Sequence, residues 1–360
     1  MKMQKKIYKL FLTEIKNTEI IHHADDGCVV SSKFNTISIN QNGRKTAFCL
    51  PLPLYLRVIG VFRLTRRILR IDKSSIALSK DRSSLVITYG GGIYKYCFET
   101  NKITKTGMLE QCRCVLHMSI ASIDQKTFIL GEYGRNTNRE SVPIHMSTDG
   151  GVTWTKPFLF PKKTIRHIHG IYHDPFTDNI WVPTGDFSNE CYLYQFANTG
   201  FTNPTIHGDG TQIWRTVSLF FTKKSIVWIM DSELDTSHLI IMDRKTGIIT
   251  KGRAFPGPVW YIKTLSDGWN IIQTTVENGA GVTSNNVHLF ASKDLHNWEE
   301  IGYYPHDGLP LRYCKNAVVA FANGRQSIDN FYISAEAIKG MDGKAYLCKI
   351  KESTTNDSET

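Results

Sequence analysis

The chain has 360 residues, 41% apolar and 21% charged, with 43 Lys and Arg against 33 Asp and Glu, a formal net charge of +10. That apolar share supports a sizeable core and excludes a chain too polar to fold, and no stretch of 18 apolar residues is present to cross a bilayer. The positive balance favours an acidic glycan, a nucleic acid or a membrane surface as partner; with no zinc-finger spacing and no RNA-type signature of interleaved aromatics, nucleic acid is not expected.

In chain order, Met1–Lys16 is basic, but its apolar run is short and broken by Lys9, Glu14 and Lys16. It does not read as a signal peptide, so a cytoplasmic protein is expected. The eight cysteines are scattered without framework spacing, which suits reduced thiols. Cys112-x-Cys114 is a weak metal signal beside the simpler reading of two small buried residues. Residues 17–53 and 74–110 each have room for one four-stranded unit. Between them, 54–71 sets Arg57, Arg63, Arg66, Arg67 and Arg70 among large apolar residues, the composition of an inserted basic amphipathic helix. Two readings of it stand: an ordinary helix with its arginines in water, or a peripheral contact with the inner face of a membrane. From residue 110, β-branched and aromatic runs recur in units about fifty residues long, the scale of a propeller blade. First strands are expected near Arg113, Arg166, Arg215, Trp260 and Arg312. Second strands begin near Thr127, Ile180, Ile226, Trp269 and Phe331. The predicted fold is all-β: a single β-propeller over 1–350 with seven four-stranded antiparallel blades, or six if the N-terminal strands only complete the last blade. A polar, disordered tail is expected over 351–360.

Ser147-Thr-Asp149-Gly-Gly151-Val-Thr-Trp154 is a complete Ser-x-Asp-x-Gly-x-Thr-Trp sequence. Its Ser and Asp can cap a tight turn, so Ser147, Asp149, Gly151 and Trp154 are read as structural. Ser292-Lys-Asp294-Leu-His-Asn-Trp298 is a degenerate copy, one residue short. The motif resembles the Asp box, or bacterial-neuraminidase repeat, of the sialidase-like β-propeller superfamily, and with the blade layout the resemblance covers nearly the whole chain. It implies a propeller whose catalytic face carries an arginine cluster for a sugar carboxylate, a Tyr–Glu nucleophile pair and an acid/base Asp. No Arg-Ile-Pro sequence occurs in the first blades, so sialidase roles do not transfer residue by residue.

Aligned on one another, the second strands end in Glu132, Asp186, Asp231, Glu277 and Glu336, and four first strands open with Arg113, Arg166, Arg215 and Arg312, where the fifth offers Trp260-Tyr261. In a propeller these positions share one face, so a ring of arginines and acids is expected, either pairing off structurally or holding an anionic ligand. The densest unit runs Arg166-His167-Ile-His169-Gly-Ile-Tyr172-His173 and ends at Asp186, with Glu132-Tyr133-Gly134-Arg135 in the unit before it. Glu132, Asp186 and His169 are the expected proton-transfer residues, since glycoside cleavage needs a donor and a base or nucleophile across the bond. Arg135, Arg166, His167, Arg215, Asp231, Tyr261 and Arg312 are the expected substrate contacts. No cofactor is required, although His167, His169 and His173 could hold a divalent metal. These features point to a protein acting on a glycan with an acidic sugar, or on its activated form, in surface-polysaccharide processing or synthesis. Non-catalytic binding of an anionic glycan or protein, and a metal-assisted lyase or transferase, are the alternatives.

Overall fold

The computed structural model describes residues 7–353. The chain is all-β, with seven four-stranded antiparallel sheets, the blades of a propeller fold, and only short helices. Residues up to 69 and from 256 form one compact unit, and 70–255 another.

The first unit holds three blades. Blade 1 runs Ile20–Asp25, Cys28–Lys33, Thr36–Gln41 and Arg44–Cys49, and blade 6 runs Val259–Thr264, Asn270–Thr274, Asn286–Ser292 and Glu299–Pro305. Blade 7 takes Val318–Phe321, Phe331–Glu336 and Lys344–Ser353 from the C-terminal end and its outermost strand, Ile7–Ile15, from the N-terminal end, in register from Ile7↔Ser353 to Ile15↔Ala345. The N-terminal strand therefore completes the last blade, and 20–49 still supplies a blade of its own, which settles the count at seven. Residues 351–353 belong to this last strand rather than to a tail; the remainder of the expected tail, 354–360, lies outside the described residues.

The second unit holds blade 2 (Ser74–Leu78, Ser84–Tyr89, Gly92–Cys97, Lys102–Met108), blade 3 (Ile120–Ser122, Phe128–Gly131, Val142–Ser147, Thr155–Phe160), blade 4 and blade 5 (Phe220–Phe221, Ser225–Ile229, His238–Asp243, Ile249–Ala254). Blade 4 pairs Ile180–Gly185, Cys191–Phe196 and Thr205–Gly210 behind an inner strand broken into His167–Ile168 and Tyr172–His173. Alternating inward residues close the core between blades 3 and 4, where Ile144, Ile165, Ile168, Ile180, Val182 and Phe196 are fully buried, each worth about 1.5–3 kcal/mol. The inner strands of blades 3 and 5 begin several residues after Arg113 and Arg215, so those arginines sit in the connections that lead into the blades.

The third-to-fourth-strand turns carry the expected chemistry. In blade 3 the Ser147 hydroxyl donates to Asp149 (2.8 Å) and accepts from Gly151 N (2.9 Å), while Asp149 accepts from Val152 N and Thr153 N and from the Thr153 hydroxyl at 2.6 Å. Burial raises the Asp149 carboxyl, but these bonds outweigh it and hold it below the usual carboxylate range. Gly151 has φ +85° and a Cβ there would press on Val86, while Trp154 packs against the blade 2–3 core and donates to Thr106 Oγ1. In blade 6, Ser292, Asp294 and Trp298 repeat the arrangement, with Leu295 (φ +62°) in the left-handed position instead of glycine.

The segment 54–71 differs from the expected single helix with arginines in water. It forms α1 (Leu54–Ile59) and α2 (Arg63–Leu69), broken at Gly60-Val61-Phe62, and its amphipathicity is inverted: Arg66 and Arg67 are buried, whereas Leu54, Tyr55, Val58, Val61 and Phe62 are 63–75% exposed. The reason is that each inward arginine finds an acid in the same unit. Arg63 grips Asp342 (3.0 Å), Arg66 pairs with Glu19, and Arg67 pairs with Asp307 and Asp342 and donates Nε–H to the Cys314 carbonyl (3.1 Å), at the end of the short helix α3 (Leu311–Cys314).

Candidate functional site

The break in the inner strand of blade 4 creates the most concentrated chemistry in 70–255. His169 N donates to Pro183 O and Ile171 N to Met118 O, so the chain turns away from regular pairing at His169-Gly170. Gly170 is required there, since a Cβ would meet the Val217 carbonyl and the Tyr172 ring. The bend leaves His167 and His169 on one side, both almost fully buried, facing Asp186 at the end of the second strand. His167 Nε2 lies 3.1 Å from His169 Nε2 and 3.2 Å from Asp186 Oδ1; His169 Nε2 lies 3.0 Å from the same oxygen. Behind them, His167 Nδ1 contacts the Gly134 carbonyl (2.8 Å) and His169 Nδ1 the Thr216 carbonyl (3.1 Å).

Two arginines frame the group. Arg166 Nη1 donates to Asp186 Oδ2 at 2.6 Å and its Nε–H to the Arg135 carbonyl. Arg215 is 6% exposed, with Nη2 3.5 Å from Asp186 Oδ1, Nε 3.6 Å from Asp231 Oδ2 and Nη1 2.6 Å from Glu233. Burial raises the Asp186 carboxyl, yet the two imidazoles against it prevail and hold it well below the usual range, so it is ionised. Asp231 is pushed the other way, up to about 6, by burial that Arg215 and His169 only partly offset. Toward solvent, the Tyr133 ring lies 3.9 Å from that of His167, and the half-exposed Phe187 ring has the guanidiniums of both Arg139 (5.6 Å) and Arg166 (5.4 Å) against it, with Arg135 exposed beside them.

Of the residues expected from sequence, the structure brings together Arg166, His167, His169, Asp186, Arg215 and Asp231, with Arg135 at the rim. Glu132 is held by another network: it is fully buried and accepts from Glu110 N, Gln111 N and His145 Nε2 (2.7 Å). Burial raises its carboxyl and these bonds bring it down below its ordinary value. The alternation of arginine and acid holds as pairing in blades 4 and 5; in blade 3 Glu132 pairs with His145 while Arg113 is exposed, and in blade 7 Glu336 is gripped by Lys315 (2.5 Å) and Arg63 while Arg312 lies exposed over Tyr313. His173 turns away and pairs with Asp178 (2.5 Å), and Tyr261 is buried in blade 6. Phe187, Arg139, Glu233 and His145 were not expected. Phe187 follows Asp186 directly and Arg139 lies one turn after Arg135, so proximity to expected residues was the signal available for both.

Among the described residues, His167, His169 and Asp186 are the group whose ligand atoms converge closely enough for a metal ion, all within 4.8 Å of one another. A shallow groove of about 690 Å³ between Ile206–Trp214 and Gly247–Ile249 is lined by none of these residues and lacks a charged group other than Asp209, so the cluster is the better candidate centre.

No family model and no curated protein matches the chain. It is similar in fold to the solved structure of U3-55K, with a TM-score of 0.55 at 8% identity over 95% of this chain and 98% of that one. It is also similar to the extracellular domain of the putative one component system BT4673 from B. thetaiotaomicron, with a TM-score of 0.54 at 12% identity over 96% of this chain and 40% of that one. At such identities the likeness is one of fold alone: this chain is a seven-bladed β-propeller.

Proposed function

We propose that the protein recognises an acidic sugar at the blade 4 cluster and acts on the glycan or activated donor that carries it. The observation that carries this reading is the rim: an exposed aromatic ring, Phe187, with Arg139 and Arg166 against it, directly above a buried ionised Asp186 and two imidazoles. An aromatic ring offers a face to the apolar side of a pyranose and a guanidinium matches a carboxylate in bidentate geometry. Arg166 and Arg135 would take the sugar carboxylate, and the group of Asp186, His167 and His169 beneath them would be the reacting centre. Arg215, Asp231 and Glu233 would position that group from behind. The Ser147–Trp154 turn supports kinship with Asp-box propellers of the sialidase-like superfamily, and the scattered spacing of the eight cysteines supports a reducing compartment.

The test is a binding and turnover screen against acidic and neutral glycans and their activated donors, with Arg166→Ala and Asp186→Asn in parallel. Turnover of an acidic glycan that both changes abolish is the expected result. Binding lost in Arg166→Ala, with no turnover by the native protein, would instead establish a non-catalytic glycan-binding propeller.

A further inference from the structure

We propose that His167, His169 and Asp186 hold a divalent transition-metal cation, bound through both Nε2 atoms and Asp186 Oδ1. The proposal rests on the cluster being the functional centre and names what that centre holds. Its basis is hydrogen-bond polarity. A carbonyl oxygen can only accept, so the contacts of His167 Nδ1 with Gly134 O and of His169 Nδ1 with Thr216 O place a proton on each Nδ1. In the neutral imidazoles each Nε2 is then a lone pair. Those two lone pairs and the Asp186 oxygen form a triangle of 3.1, 3.2 and 3.0 Å with no donor inside it.

One proton on one Nε2 serves two edges of the triangle and leaves the third as lone pair against carboxylate. Two protons make two imidazoliums 3.1 Å apart, with Arg166 and Arg215 adding two further cations around the same carboxylate, a costly like-charge arrangement. A single cation satisfies all three edges at once. Ligands at about 2.0–2.2 Å lie about 2.8–3.1 Å apart around an octahedral ion and about 3.3–3.6 Å apart around a tetrahedral one, and the edges of this triangle, 3.0–3.2 Å, fall closest to the octahedral spacing. The surroundings match as well: both ligating imidazoles are oriented by backbone carbonyls through Nδ1–H, and Arg166 fixes the carboxylate through its other oxygen. Two imidazoles and one carboxylate suit zinc, iron, manganese or cobalt rather than calcium or magnesium, and leave a coordination position for water or substrate.

The intact protein, stripped with chelator and dialysed, is titrated with Zn²⁺ by calorimetry and with Co²⁺ by visible absorption, without any glycan. The expected result is one equivalent bound, a raised Tm, Co²⁺ bands free of thiolate charge transfer, and affinity weakened about 100-fold or more in His169→Gln and in Asp186→Asn. Far-ultraviolet circular dichroism confirms that the variants are folded, and Asp186→Asn retains the fold test if His169→Gln does not. No stoichiometric uptake by the native protein, equal affinity in folded variants, or a thiolate band pointing to Cys112 and Cys114 would overturn it. Metal uptake without turnover of any acidic glycan would leave this site standing and remove the sugar reading, so the two fail separately.

A different observation carries a second inference: the geometry points to α1 and α2 as a docking surface for an anionic bilayer. Arg63, Arg66 and Arg67 bolt the helix pair to Glu19, Asp307 and Asp342, which fixes Leu54, Tyr55, Val58, Val61, Phe62 and Leu64 outward. The outer face also carries exposed Arg57, and neither 50–69 nor 309–316 contains an Asp or Glu. A protein partner of ordinary composition has no need of an acid-free surface; an anionic headgroup layer over acyl chains matches both the apolar tip and its basic rim. No helix of the described residues is long and apolar enough to cross, so contact would be peripheral. In flotation, the protein should rise with phosphatidylglycerol-containing vesicles, less with pure phosphatidylcholine, and about tenfold or more weakly when Val61→Asp and Phe62→Asp are combined. No flotation, undiminished flotation of the folded variant, or a soluble dimer that the variant dissociates would overturn the proposal.

Discussion

Two arginine-rich regions of this molecule use the same residues to opposite ends. In α2 the guanidiniums of Arg63, Arg66 and Arg67 face carboxylates and carbonyls, donors against acceptors apart from a buried Arg66 Nε, and the result is an anchor that turns the apolar side chains outward. In blades 4 and 5, Arg166 and Arg215 take only part of the acceptor capacity, and two imidazole nitrogens and a carboxylate oxygen are left converging on one point. The lesson is that charge pairing alone does not separate scaffold from site; what separates them is whether the polarity of every contact closes.

The largest test of that contrast compares Arg67→Ala with Arg166→Ala. Arg67 is 3% exposed, and its loss takes the guanidinium from Asp307 and the Cys314 carbonyl, while Asp342 keeps Arg63, so urea unfolding should show a loss of about 3–5 kcal/mol. Arg166 is 21% exposed and Asp186 keeps its other neighbours, so its removal should cost about 1 kcal/mol while abolishing ligand binding. Equal losses would mean that both regions are scaffold. Lys263 extends the comparison to a buried cation with carbonyl partners, Ala322 and Gly324, and burial lowers its ammonium to about 8. Because the folded value lies below the unfolded one, the unfolded state binds more protons between pH 8 and 10.5, and folding should gain stability as pH rises through that window. The gain relative to Lys263→Met should approach about 3 kcal/mol by pH 10.5, read from chemical unfolding at each pH.

The blades were legible because their signals are local: alternation of apolar residues, turn residues at fixed spacing, and the Ser147–Trp154 sequence. The inversion of α1 and α2 was not, since the partners of Arg66 and Arg67 lie 47 and 240 positions away, at Glu19 and Asp307. The site was legible in part. The alternation of strand residues placed His167 and His169 together correctly, but it also included His173, and the break at Gly170 sends that residue to Asp178 instead. Glu132 carried the same strand-end signal as Asp186, and only the fold reveals that its carboxylate is turned onto the backbone of the preceding loop.

Glu132→Gln tests that distinction at intermediate size. The amide keeps one acceptor oxygen for the bonds from Glu110 and Gln111 but loses the charge that faces His145, so a loss of about 1.5–3 kcal/mol in stability is expected, with glycan or metal binding unchanged. Lost turnover in a protein of native stability would return Glu132 to the reacting group.

The smallest effect belongs to the turns. Asp149→Ala removes the acceptor of Val152 N, Thr153 N and the Thr153 hydroxyl on an exposed loop, where water replaces part of what is lost, so about 1–2 kcal/mol is expected. In Asp294→Ala the loss should be similar, because Asp294 accepts from His296 N and Asn297 N and receives the Asn297 amide in place of the Thr153 hydroxyl. Differential scanning calorimetry of the two variants gives their Tm shifts side by side. Matching shifts would establish that the shortened copy in blade 6 does the same work as the complete one in blade 3, and that the missing glycine is made good by Leu295 in the left-handed conformation. A larger shift at Asp149 would trace the difference to Trp154, which reaches blade 2 through Thr106, whereas Trp298 donates within its own turn to Leu295.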